Sequence, residues 1–186
     1  LQVRSAHCTG EIYLDGALVS AWAPVGAEPV VWMTRHAEFL RGHSVHGGIP
    51  LCAPWFGNGP AGDRNPGHGF IRLARWELRD VRDDGERVTV RLTLAGGDVE
   101  GVPTAYARST FELVVGFGRE LELALTIAAG TEPVAVEAAL HTYVGVGDVR
   151  QVVVHGLEGH GYFDKVIRAL ARQDDGPLVL TGEIGR

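Results

Sequence analysis

The chain has 186 residues, enough for one domain with a sizeable core. Hydrophobic residues make up 45% and charged residues 22%, the balance of a globular protein rather than a disordered chain. A formal net charge of −6 excludes a general nucleic-acid or anionic-membrane surface, so an anionic ligand has to be held by a local cluster of cations.

Cys8 and Cys52 are widely spaced, and Cys52 sits in an apolar run, which predicts reduced thiols that simply pack and a cytoplasmic location. No uninterrupted apolar run approaches the ~18 residues of a membrane span, and the N-terminus lacks a basic-then-apolar signal pattern.

In chain order, short strands are predicted over 11–14, 18–22 and 30–33. The run His46-Gly47-Gly48-Ile49-Pro50-Leu51-Cys52-Ala53-Pro54-Trp55-Phe56-Gly57 reads as too irregular for a helix or a paired strand. Proline lacks the N–H of a central strand, and paired glycines suit a tight turn or a close backbone approach. His68-Gly69-Phe70-Ile71-Arg72 then sets a proton carrier and a fixed cation beside glycine, the setting in which loops carry function. A short strand is expected over 76–81.

Strict alternation follows: Val88, Val90, Leu92 and Leu94; Phe111, Leu113 and Val115; Leu121, Leu123, Leu125 and Ile127; Val134, Val136, Ala138 and Leu140. Each is the pattern of a half-buried strand, and turn clusters such as Asp83-Asp84-Gly85 separate them. Strands over 151–154 and 178–181 and a short helix over 164–172 complete the reading. Many strands with Gly-rich turns predict an all-β antiparallel sandwich or barrel, as a single domain over 1–186.

The eight histidines are the candidates for proton chemistry, and His46, His68 and His141 stand out by context. Alternation places His141 on one face with Glu137 and Ala139, opposite an apolar face carrying Val136 and Leu140. His36, His43 and His46 are close in sequence, but their spacing fits no compact metal motif. A nucleophile elbow and phosphate-cradling glycine loops are both missing from the sequence.

Four segments, in order, resemble the hexose-6-phosphate mutarotases of the aldose 1-epimerase (galactose mutarotase-like) superfamily. They are the run 46–57, His68-Gly-Phe-Ile-Arg72 with Trp76, His141-Thr-Tyr-Val-Gly-Val-Gly-Asp-Val149, and His155-Gly-Leu-Glu-Gly-His-Gly-Tyr-Phe-Asp-Lys165. The resemblance runs over 11–183. It implies a large antiparallel β-sandwich with a sugar lying on its concave sheet, and interconversion of the α and β anomers of a hexose 6-phosphate.

The resemblance makes His141 the general acid that protonates the ring oxygen, while a glutamate removes the anomeric hydroxyl proton. Arg72 becomes the phosphate partner, suited to it by paired guanidinium bonds, with His46 and His68 also binding substrate. No metal or organic cofactor is implied, and the partner is a small sugar phosphate, with neither nucleic acid nor membrane. His46 stands where the family often has arginine, and Gly185 where a substrate-binding aspartate is expected. The C-terminal part of the family fold is expected to be missing, with the catalytic glutamate beyond Arg186. The alternative is a non-catalytic carbohydrate-binding sandwich of the same superfamily; a His-metal enzyme on a cupin-like barrel is the remaining reading.

Overall fold

The computed structural model describes residues 1–164 and 167–180. Lys165 and Val166, inside the expected helix, and Thr181–Arg186, with the Glu183 and Gly185 positions, lie outside the described residues. The chain divides into two compact units, Leu1–Gly145 and Val146–Arg186.

In the first unit, strands β1 (Gln2–Arg4), β2 (Cys8–Ile12) and β3 (Val19–Pro24) form an antiparallel sheet in that order. Cys8, Gly10 and Ile12 point one way along β2 and are buried, which is the two-residue period of a half-buried strand. Residues 30–33 make only isolated bridges, at Val31 and Met33, rather than the expected strand. Strand β4 (Leu51–Cys52) is short and wholly buried.

The second sheet has the order β5 (Glu77–Asp83), β6 (Val88–Ala95), β7 (Thr110–Phe117), β8 (Leu121–Ala128), all antiparallel. Its register stacks like on like. Val88 faces Phe117, Val90 faces Val115, Leu92 faces Leu113 and Leu94 faces Phe111, and the same rows continue to Leu121, Leu123, Leu125 and Ile127 on β8. Cross-strand apolar rows of this kind fix register, because a one-residue slip would turn every one of them to solvent. The edge strand β5 is exposed and charged, with Arg79–Glu77 and Arg82–Asp80 ion pairs at 2.8 and 2.6 Å, which suits an unpaired sheet edge. At the β5–β6 turn the Asp84 carboxylate accepts from the Arg87 and Glu86 amides, and these bonds hold its carboxyl below the usual range.

The two sheets close on one core. A Cβ at Gly10 of β2 would meet the Phe117 ring of β7 at 2.5 Å, so glycine sets how near the sheets come. Trp55, Phe70, Tyr106 and Phe111 form an aromatic cluster at 5.7–6.2 Å within the same core. The Tyr106 hydroxyl donates to the Ala135 carbonyl at 2.8 Å. Replacing Tyr106 with phenylalanine is expected to cost about 0.5–1.5 kcal/mol of stability, read from the denaturation midpoint at unchanged slope.

Past Ala135 the expected long strand shrinks to β9 (Ala139–Leu140). Val136 and Leu140 are 41% and 39% exposed, which corrects the apolar inner face expected for them. Neither joins the core cluster.

The second unit has a one-turn 3-10 helix at Val149–Gln151, capped by the Asp148 side chain. Strand β10 (Val153–Val154) pairs with β13 (Leu178–Val179), and β11 (Gly161–Asp164) pairs with β12 (Ala169–Arg172) as a hairpin. The expected helix over 164–172 is therefore corrected to strand at 169–172. Its turn is taken by Asp164, whose carboxylate accepts the Ile167 amide at 3.2 Å, and by Arg168 at φ 52°. Among the described residues no helix is long and apolar enough to cross a membrane, which says nothing of strands.

Candidate active site

The pairing of β4 with β9 assembles the site. Leu51 lies opposite Leu140 and Cys52 opposite Ala139. Single bonds extend the alignment both ways: the Glu137 amide donates to Pro54 at 3.0 Å, His141 to Pro50 at 2.9 Å and Tyr143 to Gly48 at 2.9 Å. Both prolines serve as carbonyl acceptors, a role that needs no N–H. The run 46–57 is therefore partly paired, correcting the expectation that it is too irregular for a paired strand.

Gly47 and Gly48 adopt φ of 122° and 70°. A Cβ would lie 2.7 Å from the Met33 Cα at the first and 2.6 Å from the Val19 carbonyl oxygen at the second. The close approach expected of them is thus to the chain's own backbone, where the bridges Val19–Ile49 and Met33–Gly47 form. Trp55, 2% exposed, anchors the far end of the run and donates from Nε1 to the Pro66 carbonyl at 2.8 Å.

His68 is held at φ 64°, a region few residues with a Cβ enter and one that costs about 1–3 kcal/mol. Gly57 fixes it twice. The His68 amide donates to the Gly57 carbonyl at 2.5 Å, and the Gly57 amide donates to Nδ1 at 3.2 Å. A ring nitrogen that accepts carries no proton, so neutral His68 bears its proton on Nε2.

His141, half-buried, lies between the near-parallel rings of Phe56 and Tyr143, with centroids at 6.3 and 5.1 Å and interplanar angles of 15° and 26°. His68 meets it edge-on at 5.9 Å and 89°. Offset stacks and perpendicular edges are the arrangements aromatic quadrupoles favour, so the imidazole orientation is set by its neighbours.

A pocket of about 180 Å³ is lined by His46, His68, Arg72 and His141 together with Ser44, Val45, Pro50 and Tyr143. All four site residues expected from the sequence therefore meet at one cavity, from three separate stretches of chain. Arg72 donates from Nη2 to the Gly67 carbonyl at 2.8 Å, while its Nε is buried without a hydrogen-bond partner. Tyr143 and Phe56 were missed as site residues. The first was signalled by its two-residue spacing from His141, the second by the aromatic ending of the run 46–57.

Glu137 does not reach this lining; its carboxylate accepts the Phe56 amide at 3.1 Å. Cys52 is fully buried, and burial pushes its thiol up against the opposing pull of Arg72, which suits packing rather than nucleophilic attack. Among the described residues no group of three or more His, Cys, Asp or Glu is placed to hold a metal ion, His36, His43 and His46 included.

Three histidines and an arginine line one pocket of an all-β chain whose sequence resembles the aldose 1-epimerase family. The sequence matches that family, described as aldose 1-epimerase, over residues 1–174, and the chain belongs to it. It is 35% identical over 156 residues to the "Putative glucose-6-phosphate 1-epimerase" of Escherichia coli (strain K12), covering 82% of this chain and 50% of that protein. A protein of the same name from Cenchrus ciliaris is 30% identical over 172 residues, covering 86% of this chain and 50% of the relative.

Among solved structures, that of a "putative mutarotase" from Salmonella typhimurium superposes with a TM-score of 0.85 at 30% identity, covering 96% of this chain and 59% of the other. The chain spans about half the length of the curated relatives it matches. The expectation of a galactose mutarotase-like β-sandwich, raised by the four sequence segments, is borne out by this likeness.

Proposed function

We propose that this chain carries the proton donor and the phosphate-binding side of a hexose-6-phosphate mutarotase. The observation behind this reading is that His141, His68, His46 and Arg72 line one pocket of about 180 Å³. The name of the relatives, "Putative glucose-6-phosphate 1-epimerase", supports a phosphorylated sugar as the substrate class in this reading.

In this reading His141 gives its proton to the ring oxygen as the bond from that oxygen to C1 breaks. The hydroxyl on C1 loses its proton to a base, and its oxygen becomes the aldehyde carbonyl. Rotation about the C1–C2 bond and reversal of both transfers closes the other anomer. Histidine suits the step because, as a residue type, it gives and retakes a proton near neutral pH. The Nε2–H of His68 donates to a sugar hydroxyl, and Arg72 and His46 hold the phosphate. Two proton transfers thus accompany the breaking and re-forming of one C–O bond.

None of the eight pocket-lining residues is a carboxylate, and the base is the glutamate that the family resemblance implies. The same observation favours a second reading, a sandwich that binds the sugar without converting it. Two-dimensional NMR exchange between the anomers of glucose 6-phosphate separates the two. Exchange above the spontaneous rate is expected; binding without added exchange would leave the non-catalytic reading.

A further inference from the structure

Residues 34–46 form a loop whose two ends are pinned together. The Thr34 amide donates to the His46 carbonyl at 3.3 Å, and the Met33–Gly47 bridge lies one residue further out, the closure of an Ω-loop. The last three loop residues, Ser44, Val45 and His46, belong to the wall of the His141 pocket. Where they stand therefore depends on how the rest of the loop is held.

A cavity of about 230 Å³ is walled by Leu40, Ser44 and Val45 from the loop and by Tyr13, Gly16 and Leu18 from the sandwich. Atoms that border a void lose packing partners on that side, so discrete contacts between loop and sandwich carry more of the positioning. Two such contacts are present. Phe39 stacks on Tyr13 at 4.0 Å and 8°, and Arg41 Nε lies 3.8 Å from Asp15. The Arg41 side chain is 75% exposed, and an exposed ion pair at that distance contributes little and is screened by salt. An aromatic pair is stronger and does not depend on charge. The stack is the main tie.

Both ends of that tie are well placed for the task. Tyr13 follows the fully buried Ile12 at the end of β2, and its amide donates to the Leu18 carbonyl at 2.9 Å, so its ring stands on the frame of the sandwich. Phe39 is an exposed residue of the loop, so its contact with Tyr13 is not a by-product of core burial. From Phe39 a turn closed by the His43 amide on the Leu40 carbonyl at 3.1 Å leads straight to Ser44. Gly42 makes this turn at φ 76°, a conformation that suits glycine.

We infer that Phe39 is a positioning residue of the pocket. Its stack on Tyr13 sets where Ser44, Val45 and His46 stand, and through them the affinity for the sugar phosphate. Phe39 lines the cavity rather than the pocket, so it acts through these residues and not by contact with the sugar. The inference rests on the mutarotase reading for its ligand.

NMR titration of the whole chain with glucose 6-phosphate, together with amide NOEs of Ser44 and Val45 in the free protein, tests it. Phe39→Ala is expected to weaken binding about two- to tenfold, the scale of one aromatic pair. It is also expected to raise the mobility of Ser44 and Val45. Phe39→Tyr keeps the stacking ring and should restore both quantities. Arg41→Gln should change either one less than Phe39→Ala does. Should Phe39→Ala fail to fold, Phe39→Leu, which keeps apolar bulk without the flat ring, takes its place with the same expectations.

Unchanged affinity in Phe39→Ala, or a loss that Phe39→Tyr does not restore, overturns the inference and leaves the mutarotase reading standing. An unmodified chain that does not bind glucose 6-phosphate overturns that reading instead. The NOEs then decide the positioning: mobility raised by Phe39→Ala and restored by Phe39→Tyr upholds it, and unchanged mobility overturns it.

Discussion

His141→Asn is expected to lower protein-catalysed exchange of glucose 6-phosphate anomers by about 10²–10⁴-fold, the usual worth of a general acid. Asparagine keeps a hydrogen-bond donor of similar reach but has no proton to give, so the variant separates binding from proton transfer. The fold should survive. The main-chain bond from residue 141 to the Pro50 carbonyl is independent of the side chain, and Leu140↔Leu51 pairing stays in place beside it. What is lost structurally is the stacking of the imidazole between Phe56 and Tyr143, about 0.5–1.5 kcal/mol for each aromatic contact. Thermal melts bound that part, and exchange spectra corrected for the spontaneous rate measure the rest. An unchanged corrected rate would remove His141 from the mechanism, whatever the effect on stability.

How far the sequence anticipated this arrangement depends on the range of the forces involved. The alternations over Val88–Leu94, Phe111–Val115 and Leu121–Ile127 are local signals, and they became β6, β7 and β8 within a residue or two. The segment Ala169–Arg172 misled because alanine, leucine and arginine are strong helix formers. Pairing with Gly161–Asp164 outweighed that preference. In the run 46–57 the prolines argued against pairing, yet Pro50 and Pro54 enter it only through their carbonyls.

His46, His68, Arg72 and His141 were singled out by motif and resemblance, and their convergence on one pocket depends on the β4–β9 pairing, which no local pattern encodes.

Arg72→Met is expected to weaken glucose 6-phosphate binding about tenfold or more, since a charge-assisted hydrogen bond contributes roughly 1.5–3 kcal/mol. Free glucose should lose much less, having no charge to pair. The bond from Nη2 to the Gly67 carbonyl makes the experiment sharper, because Arg72 also braces the loop that leads into His68. Methionine removes brace and charge together, and any loosening of His68 would then harm both sugars alike. Arg72→Lys restores the charge while lacking the planar fork that reaches carbonyl and phosphate at once. If the charge matters most, lysine recovers a good part of the phosphate preference even where overall affinity stays low. If the brace matters most, neither variant shows a preference change, and glucose and glucose 6-phosphate weaken in parallel. The ratio of the two dissociation constants, measured in all three proteins, is therefore the quantity that decides. A ratio that stays constant would assign Arg72 to the loop and leave the phosphate to His46 and whatever cation stands near it.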